Sequence, residues 1–494
     1  MTSLTISPGP VTPETRRRPM TSLRALSALG WTCLAAILVV LAFIYRDAIQ
    51  WLTFTPLVVA IAIVLGFLLY LRRIEGAIPY FEIGAFYVSV AAIYATYPLL
   101  KYVLQGYRYE VGDYRLVTVN YYPRELAALA WWHVAYLLSF AVVYALVRGR
   151  RALHGRLRVT PPDWSTIASV LLLLTASKLF FVVLGIFYDL RVGSYMESYL
   201  VIQRLPLFIR QIATQVQGIG LTLQIMLVVA LTCGKRGVFR VLLYLFLLVA
   251  TLSHLVVPGG RIELVAVIIS AVAAHHLAVR RVQFRWLAMA GVAGFLLVVA
   301  LGVVRTDQAF GQFQLSRLTQ RMTEEYTEFE VIFGNAVEMK WWRYGEGQGI
   351  FLDKPNLYWS GLLAVIPQQF LPLEKDTPWV WFTRTYYPDY YADGGGMAFG
   401  VLAEAVAGYG WPEMVWRGAL IGLLFGLLHR SLYRAKVSPY LFMFYIWLAV
   451  WSYLTIRAGT FAPLMLILYR FIVPVAGIWL LSVVMRRARR RITP

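Results

Sequence analysis

Apolar runs of roughly 20 residues, the length that crosses a bilayer as a helix, recur along almost the whole chain. They can be drawn at 26–45, 51–71, 79–104, 126–147, 163–187, 207–233, 238–257, 262–279, 284–304, 412–433, 438–456 and 463–485. The pattern predicts an all-α polytopic membrane protein with about twelve transmembrane helices. An even number places both chain ends on one side. The apolar rhythm is interrupted once at length, over 305–411, where charged, glycine-rich and proline-containing stretches alternate with aromatic residues.

Basic residues support this count. Arg16-Arg17-Arg18, Arg72-Arg73, Arg148 to Arg158, Lys235-Arg236, Arg280-Arg281, Arg430 to Lys436 and Arg486 to Arg491 all fall in alternate gaps. Under the positive-inside rule that face is cytoplasmic, and adding or removing one span breaks the agreement. The expected organisation is a cytoplasmic tail over 1–25, transmembrane helices 1 to 9 over 26–304, a cap over 305–411, helices 10 to 12 over 412–485, and a basic cytoplasmic tail over 486–494. The first run has the basic flank of a signal peptide, and we read it as a signal anchor. Spans 1 to 3 read as lipid-facing scaffold, with Glu82 near an end.

Composition narrows the class further. With 60% hydrophobic and 14% charged residues, the chain is not a soluble enzyme. The net charge of +21 is topogenic in its placement and does not signal nucleic acid. Cys33 and Cys233 lie in or beside apolar runs and give no disulfide framework or metal-ligand spacing.

A polar loop as long as 305–411 exceeds what a connector needs, and its many Trp, Tyr and Phe residues argue against disorder. It reads as an extracytoplasmic cap. Leu315 to Val337 looks helical. Trp359 to Leu371 is too short and proline-broken to span and reads as re-entrant or interfacial. Gly345-Glu-Gly-Gln-Gly349 has no preceding strand, so it is not a phosphate-cradling loop. The Gly394 to Gly410 stretch is rich in small residues and carries one acid, Glu404. A lone carboxylate in so apolar a setting has a raised pKa, suited to a general base or acid.

Arginines on the outer side run against the positive-inside rule and need another reason. Arg191, Arg204 and Arg210 lie around the start of span 6, where binding an anion and pairing to Asp189 or Glu197 are the two readings. Arg261 and Glu263 occupy the first turn of span 8, after the His254 to Gly260 hairpin. A helix start binds anions, while a snorkelling arginine is the alternative. Arg305 opens the cap and Arg457 lies at the lip between spans 11 and 12. The loop over 105–125 carries several Tyr and Arg residues, which fit interfacial anchoring or stacking on sugar rings.

Several of these pieces, in this order, resemble the Wzy family of oligosaccharide repeat-unit (O-antigen) polymerases. They are Gly260-Arg261 opening a span, Ile366-Pro-Gln-Gln-Phe-Leu-Pro372 followed by Lys375, Ala403-Glu404 and Tyr409-Gly410 within Gly396 to Gly410, and Ile456-Arg457-Ala458-Gly459 before the final span. The motifs cover roughly the last half of the chain. They depart from the family at Leu373-Glu-Lys-Asp376, where a basic residue followed directly by proline is usual.

The resemblance implies a GT-C-like fold in a bacterial cytoplasmic (inner) membrane, with both termini cytoplasmic. It implies a glycosyltransferase that moves a growing glycan from one polyprenyl diphosphate onto another lipid-linked repeat unit. Its partners would be that lipid-linked oligosaccharide and membrane lipids, and it admits a chain-length regulator; nucleic acid is not expected. In these terms Arg261, Arg305 and Arg457, with Arg191, Arg204 and Arg210, are candidates to hold the diphosphate leaving group. Glu404 is the first candidate for the base, with Glu263 and His254 behind it. No Asp-x-Asp or His/Cys ligand spacing occurs, so neither metal nor cofactor is expected. An O-antigen ligase acting on lipid A core, and a flippase or transporter for the lipid-linked oligosaccharide, are the alternatives. Internal repeats would favour the transporter, and none is visible.

Overall fold

A computed structural model describes residues 51–105, 123–150, 157–187, 205–234, 238–256, 261–283, 332–340, 378–392 and 396–492, apart from a few positions within and beside these ranges. Among them the secondary structure is helical, with no strand and one isolated bridge between Val159 and Val437. The long helices are α1 (Trp51–Glu75), α2 (Ile83–Gln105), α3 (Pro123–Arg148), α4 (Trp164–Phe187), α5 (Leu207–Cys233), α6 (Val238–Val256) and α7 (Arg261–Ala278). Short helices follow: α8 (Pro378–Tyr386), α9 (Pro388–Ala392) and α10 (Gly400–Ala407). The chain then forms α11 (Trp411–Ser431), α12 (Pro439–Trp451), α13 (Leu454–Arg457), α14 (Ala462–Leu466), a π-helical turn (Ile467–Ile472) and α15 (Val473–Ile492).

Six of the described helices are long and apolar enough to cross a membrane, and four more are shorter and apolar. Each matches one of the apolar runs; the runs at 26–45 and 284–304 lie wholly or largely outside the described residues. Two details differ from expectation. The run at 438–456 is not one helix: α12 ends at Trp451 and α13 forms a separate turn. The last helix also continues through the arginines to Ile492. Within 305–411, residues 332–337 are helical as expected, whereas the glycine loop at 345–349 and most of 359–371 lie outside the described residues.

The tightest packing joins α3 to α11. Gly418, Gly422 and Gly426 recur every fourth residue, one turn apart on a single helix face, and this stripe meets the α3 backbone. A Cβ on Gly422 would stand 2.7 Å from the Phe140 carbonyl oxygen, and one on Gly418 would strike the Tyr136 carbonyl. Small residues at this spacing let two membrane helices approach closely. On the α3 side, Tyr136, Phe140, Tyr144 and Arg148 follow the same four-residue spacing, and all four are buried. Helix α5 is central to the other half of the bundle, packing on α4, α6, α7, α12 and the π turn. Its residues from Leu221 to Leu231 are buried without a break.

The basic gaps meet at one end of the bundle. Leu157 N–H donates to the Leu277 carbonyl at 3.1 Å, Thr160 N–H to the Val437 carbonyl at 2.9 Å, and Arg486 pairs with Asp163 at 3.0 Å. The Asp163 carboxylate also takes hydrogen bonds from Ser165 and Thr166 at the start of α4. At this end Glu82 is not on a lipid-facing scaffold. It is buried with Glu75, and Arg148 bridges them, Nη2 to Glu75 at 2.5 Å and Nε to Glu82 at 2.6 Å. Tyr144 donates to Glu82 at 2.8 Å, and the His429 Nε2 lies 3.8 Å from the same carboxylate. Two carboxylates and an arginine 66 and 73 residues away thus form one ion group, the arrangement that makes a buried charge tolerable.

Candidate functional site

The opposite end of the α3–α11 pair carries a second buried ion group, and Glu404 is in it. The small residues of the 396–410 stretch form α10, a short helix pressed between α13, α11 and α3. Close approach has a backbone cause. Gly400 has φ +77°, and a Cβ there would meet the Ile456 carbonyl at 3.1 Å. Two pieces separated in sequence, Gly396 to Gly410 and Ile456 to Gly459, are therefore in contact.

Glu404 is not alone in an apolar setting, as the sequence suggested. Its Oε2 accepts a short hydrogen bond from Arg417 Nη1 and one of 3.1 Å from the Thr460 amide. The other oxygen, Oε1, faces the bare α-carbon of Gly459, a residue at φ +120° where any Cβ would collide with it. Arg417 Nη1 also donates to Thr460 Oγ1 at 2.6 Å. Its Nε and Nη2 reach Glu413 Oε2 at 3.1 and 3.0 Å, and Glu413 Oε1 accepts from the Tyr409 amide at 2.6 Å. Glu404 is 7% exposed, Arg417 2% and Glu413 1%. Burial pushes the Glu404 carboxyl above the usual carboxylate range, against the pull of Arg417 and the Thr460 donors. A carboxylate shifted in this direction takes up a proton more readily than an ordinary one, as a general base must.

Beneath this group lies a hydroxyl chain. Tyr87 shares a short hydrogen bond with Tyr136 and one of 2.7 Å with Thr455 Oγ1. Tyr136 is within electrostatic reach of both Arg417 and Glu404. One turn above it on α3, His133 is buried between Tyr136 and Phe333, with ring centroids 6.4 and 6.2 Å away. Neither of its ring nitrogens has a hydrogen-bond partner among the described residues.

Of the other candidates, Arg457 is half-buried at the end of α13, two residues before Gly459, and so belongs to the same wall as Glu404. Arg210 is half-buried in the first turn of α5, the helix that packs on α7. Glu263 is in the first turn of α7, as expected, but among the described residues the cations within electrostatic reach of it are Lys178 of α4 and Arg470 of the π turn, away from the Glu404 group. The Arg470 side chain fills the notch above Gly218 and its guanidinium lies 5.8 Å from the Trp451 ring centroid. Helix α7 begins at Arg261, where the sequence places the start of a span. The side chains of Arg261 and His254, and all of Arg191, Arg204, Arg305 and Lys375, lie outside the described residues.

Sequence reasoning missed Arg417 and Glu413 because both fall in an apolar run. The available signal was their spacing: an acid and an arginine four residues apart inside a span face each other, and ionisable residues at that depth are costly without a role. Compared with protein-family models, with curated proteins and with solved structures, the chain matches none.

Proposed function

We propose that the chain is a Wzy-type polymerase of polyprenyl-diphosphate-linked oligosaccharide repeat units, working on the extracytoplasmic face of a bacterial inner membrane. The observation that carries the reading is the contact between two of the motifs on which the resemblance rests: Glu404 of α10 lies against Gly459 and Thr460, two and three residues after Arg457. In the proposed reaction the acceptor sugar hydroxyl bonds to the anomeric carbon of the donor. The bond from that carbon to the diphosphate breaks, and its electron pair leaves on the lipid diphosphate. The hydroxyl proton passes to Glu404. Arg457, with Arg261 and Arg305 and the more peripheral Arg191, Arg204 and Arg210, would stabilise the charge that accumulates on the leaving group. Glu263 and His254 are the second candidates for the base, and Glu263 would do so from the separate group it forms with Lys178 and Arg470.

Purified protein incubated with lipid-linked repeat units alone tests this reading. A ladder of longer glycans is the expected result, and Glu404→Gln should slow its formation by about 10²–10⁴-fold, the usual contribution of a general base. Product only after lipid A core is added would replace the reading with a ligase. Movement of the lipid across liposomes without product would replace it with a flippase. Unaltered turnover in Arg261→Ala would remove that residue from the site.

A further inference from the structure

We infer that Glu404, Arg417 and Glu413 act as a one-proton acceptor in which Glu413 is a positioning residue: it keeps Arg417 paired at the moment Glu404 becomes neutral. The inference rests on the reading of Glu404 as the base. Its starting point is a count of charges. One guanidinium is shared by two carboxylates, Glu404 through Nη1 and Glu413 through Nε and Nη2, and all three residues are buried.

Together the three carry one net negative charge in a low-dielectric setting. Taking up one proton brings that sum to zero, and Arg417 with Glu413 remains as a neutral, two-point ion pair. Had Arg417 only Glu404 as a partner, the same protonation would strand a buried guanidinium, which is far more costly than keeping the pair ionised. A simple Glu–Arg pair at this place would therefore make a poor base. The second carboxylate makes it a usable one, and its position is fixed: Glu413 is in the first turn of α11, four residues before Arg417, with its free-side oxygen held by the Tyr409 amide.

Among the described residues, the surrounding elements contribute few other charges. From α3 comes the Tyr136 hydroxyl, backed by Tyr87 of α2 and by Thr455 of α13. Arg457 ends α13, and Thr460 offers an amide and a hydroxyl from the following loop. The hydroxyl groups stay neutral over the working pH range, so among the described groups the proton affinity of Glu404 is set chiefly by the arginine and by how much of that arginine Glu413 claims.

Infrared titration of the full chain in lipid nanodiscs tests this without any substrate, by following the carbonyl stretch of a protonated, buried carboxylic acid. In the wild type the band should titrate above the ordinary carboxylate range and should vanish in Glu404→Gln. Glu413→Gln, which keeps an oxygen for the Tyr409 amide, should lower the proton affinity of Glu404 by about 10-fold or more, moving the titration down by about one pH unit. Arg417→Gln should move it the other way, and gives the answer even if Glu413→Gln fails to fold. In glycan elongation the acid limb of the rate profile should move down with Glu413→Gln. A titration unchanged or raised in Glu413→Gln, or lowered in Arg417→Gln, overturns the inference. So does a band that survives Glu404→Gln. If these shifts occur but the wild type elongates no lipid-linked glycan, the proposed function fails and the proton acceptor stands.

Discussion

Glu404 and His133 show what single buried polar residues do to stability here. The carboxyl of Glu404 is raised above its unfolded value by burial, so the folded state holds its proton more tightly than the unfolded chain does. Its contribution is fully present below the unfolded pKa of about 4.3 and is lost as pH rises through the raised folded value. The melting temperature of the wild type should therefore fall relative to Glu404→Gln over that window, and a constant difference across it would contradict the shift. His133 is the opposite case, an imidazole whose two nitrogens are buried without hydrogen bonds among the described residues. His133→Phe keeps a ring between Tyr136 and Phe333 and removes the unsatisfied atoms. It should stabilise the chain by about 1–3 kcal/mol, measured as a raised unfolding midpoint in detergent. Glu404 could be picked from sequence because it is the sole acid in a run of small residues. His133 could not, since nothing local distinguishes it from any histidine in an apolar span.

At the scale of elements, the glycine stripe of α11 decides how close α3 can come. Gly422→Val would place branched carbons where the Phe140 carbonyl and the Tyr144 amide now lie, 2.7 and 3.1 Å from the nearest new atom. Overpacking of this kind costs about 1–3 kcal/mol, and it should also displace Arg417, one turn and a half away, from Glu404 and Glu413. A lowered melting temperature together with a changed titration of Glu404 would show both effects. The positions of the long helices were legible from apolar length alone, and each long described helix falls on a predicted run, whereas α8, α9 and α10 do not. The break between α12 and α13 and the π turn were not, because 438–456 and 463–485 are apolar throughout and their interruptions serve tertiary contacts. Ser452 and Thr455 in that break bond back to the chain and to Tyr87. Arg470 in the π turn reaches toward Glu263.

At the scale of the molecule, the α3–α11 pair carries an ion group at each end and aromatic packing between them. Phe140 contacts Phe67, Tyr87 and Phe425 with ring centroids 4.7 to 6.3 Å apart. The group at the basic end was illegible in sequence because its partners are 66 and 73 residues apart; only the fold brings Glu75 and Glu82 to one arginine. Removing that arginine takes the close guanidinium from two buried carboxylates, of which Glu75 also pairs with Arg281 at 3.5 Å. Arg148→Met should cost about 3–5 kcal/mol and should speed hydrogen exchange at the ends of α1, α2 and α3, whereas unaltered exchange would mean the group is dispensable. The one-sided placement of the basic gaps, by contrast, was readable from the spacing of arginines, since topology acts on composition and needs no tertiary detail.

The loop at Gly459 is where these scales converge. Its backbone adopts φ +120° and its α-carbon touches the Glu404 carboxylate. That combination makes the position intolerant twice over, once through conformation and once through volume. On the proposed function, a library carrying all twenty amino acids at 459, selected for surface glycan, should return glycine alone, and even alanine should be lost. Neighbouring Ala458 and Phe461 should accept replacements, so the sharpness of that contrast would measure how rigidly the loop has been moulded to one oxygen atom.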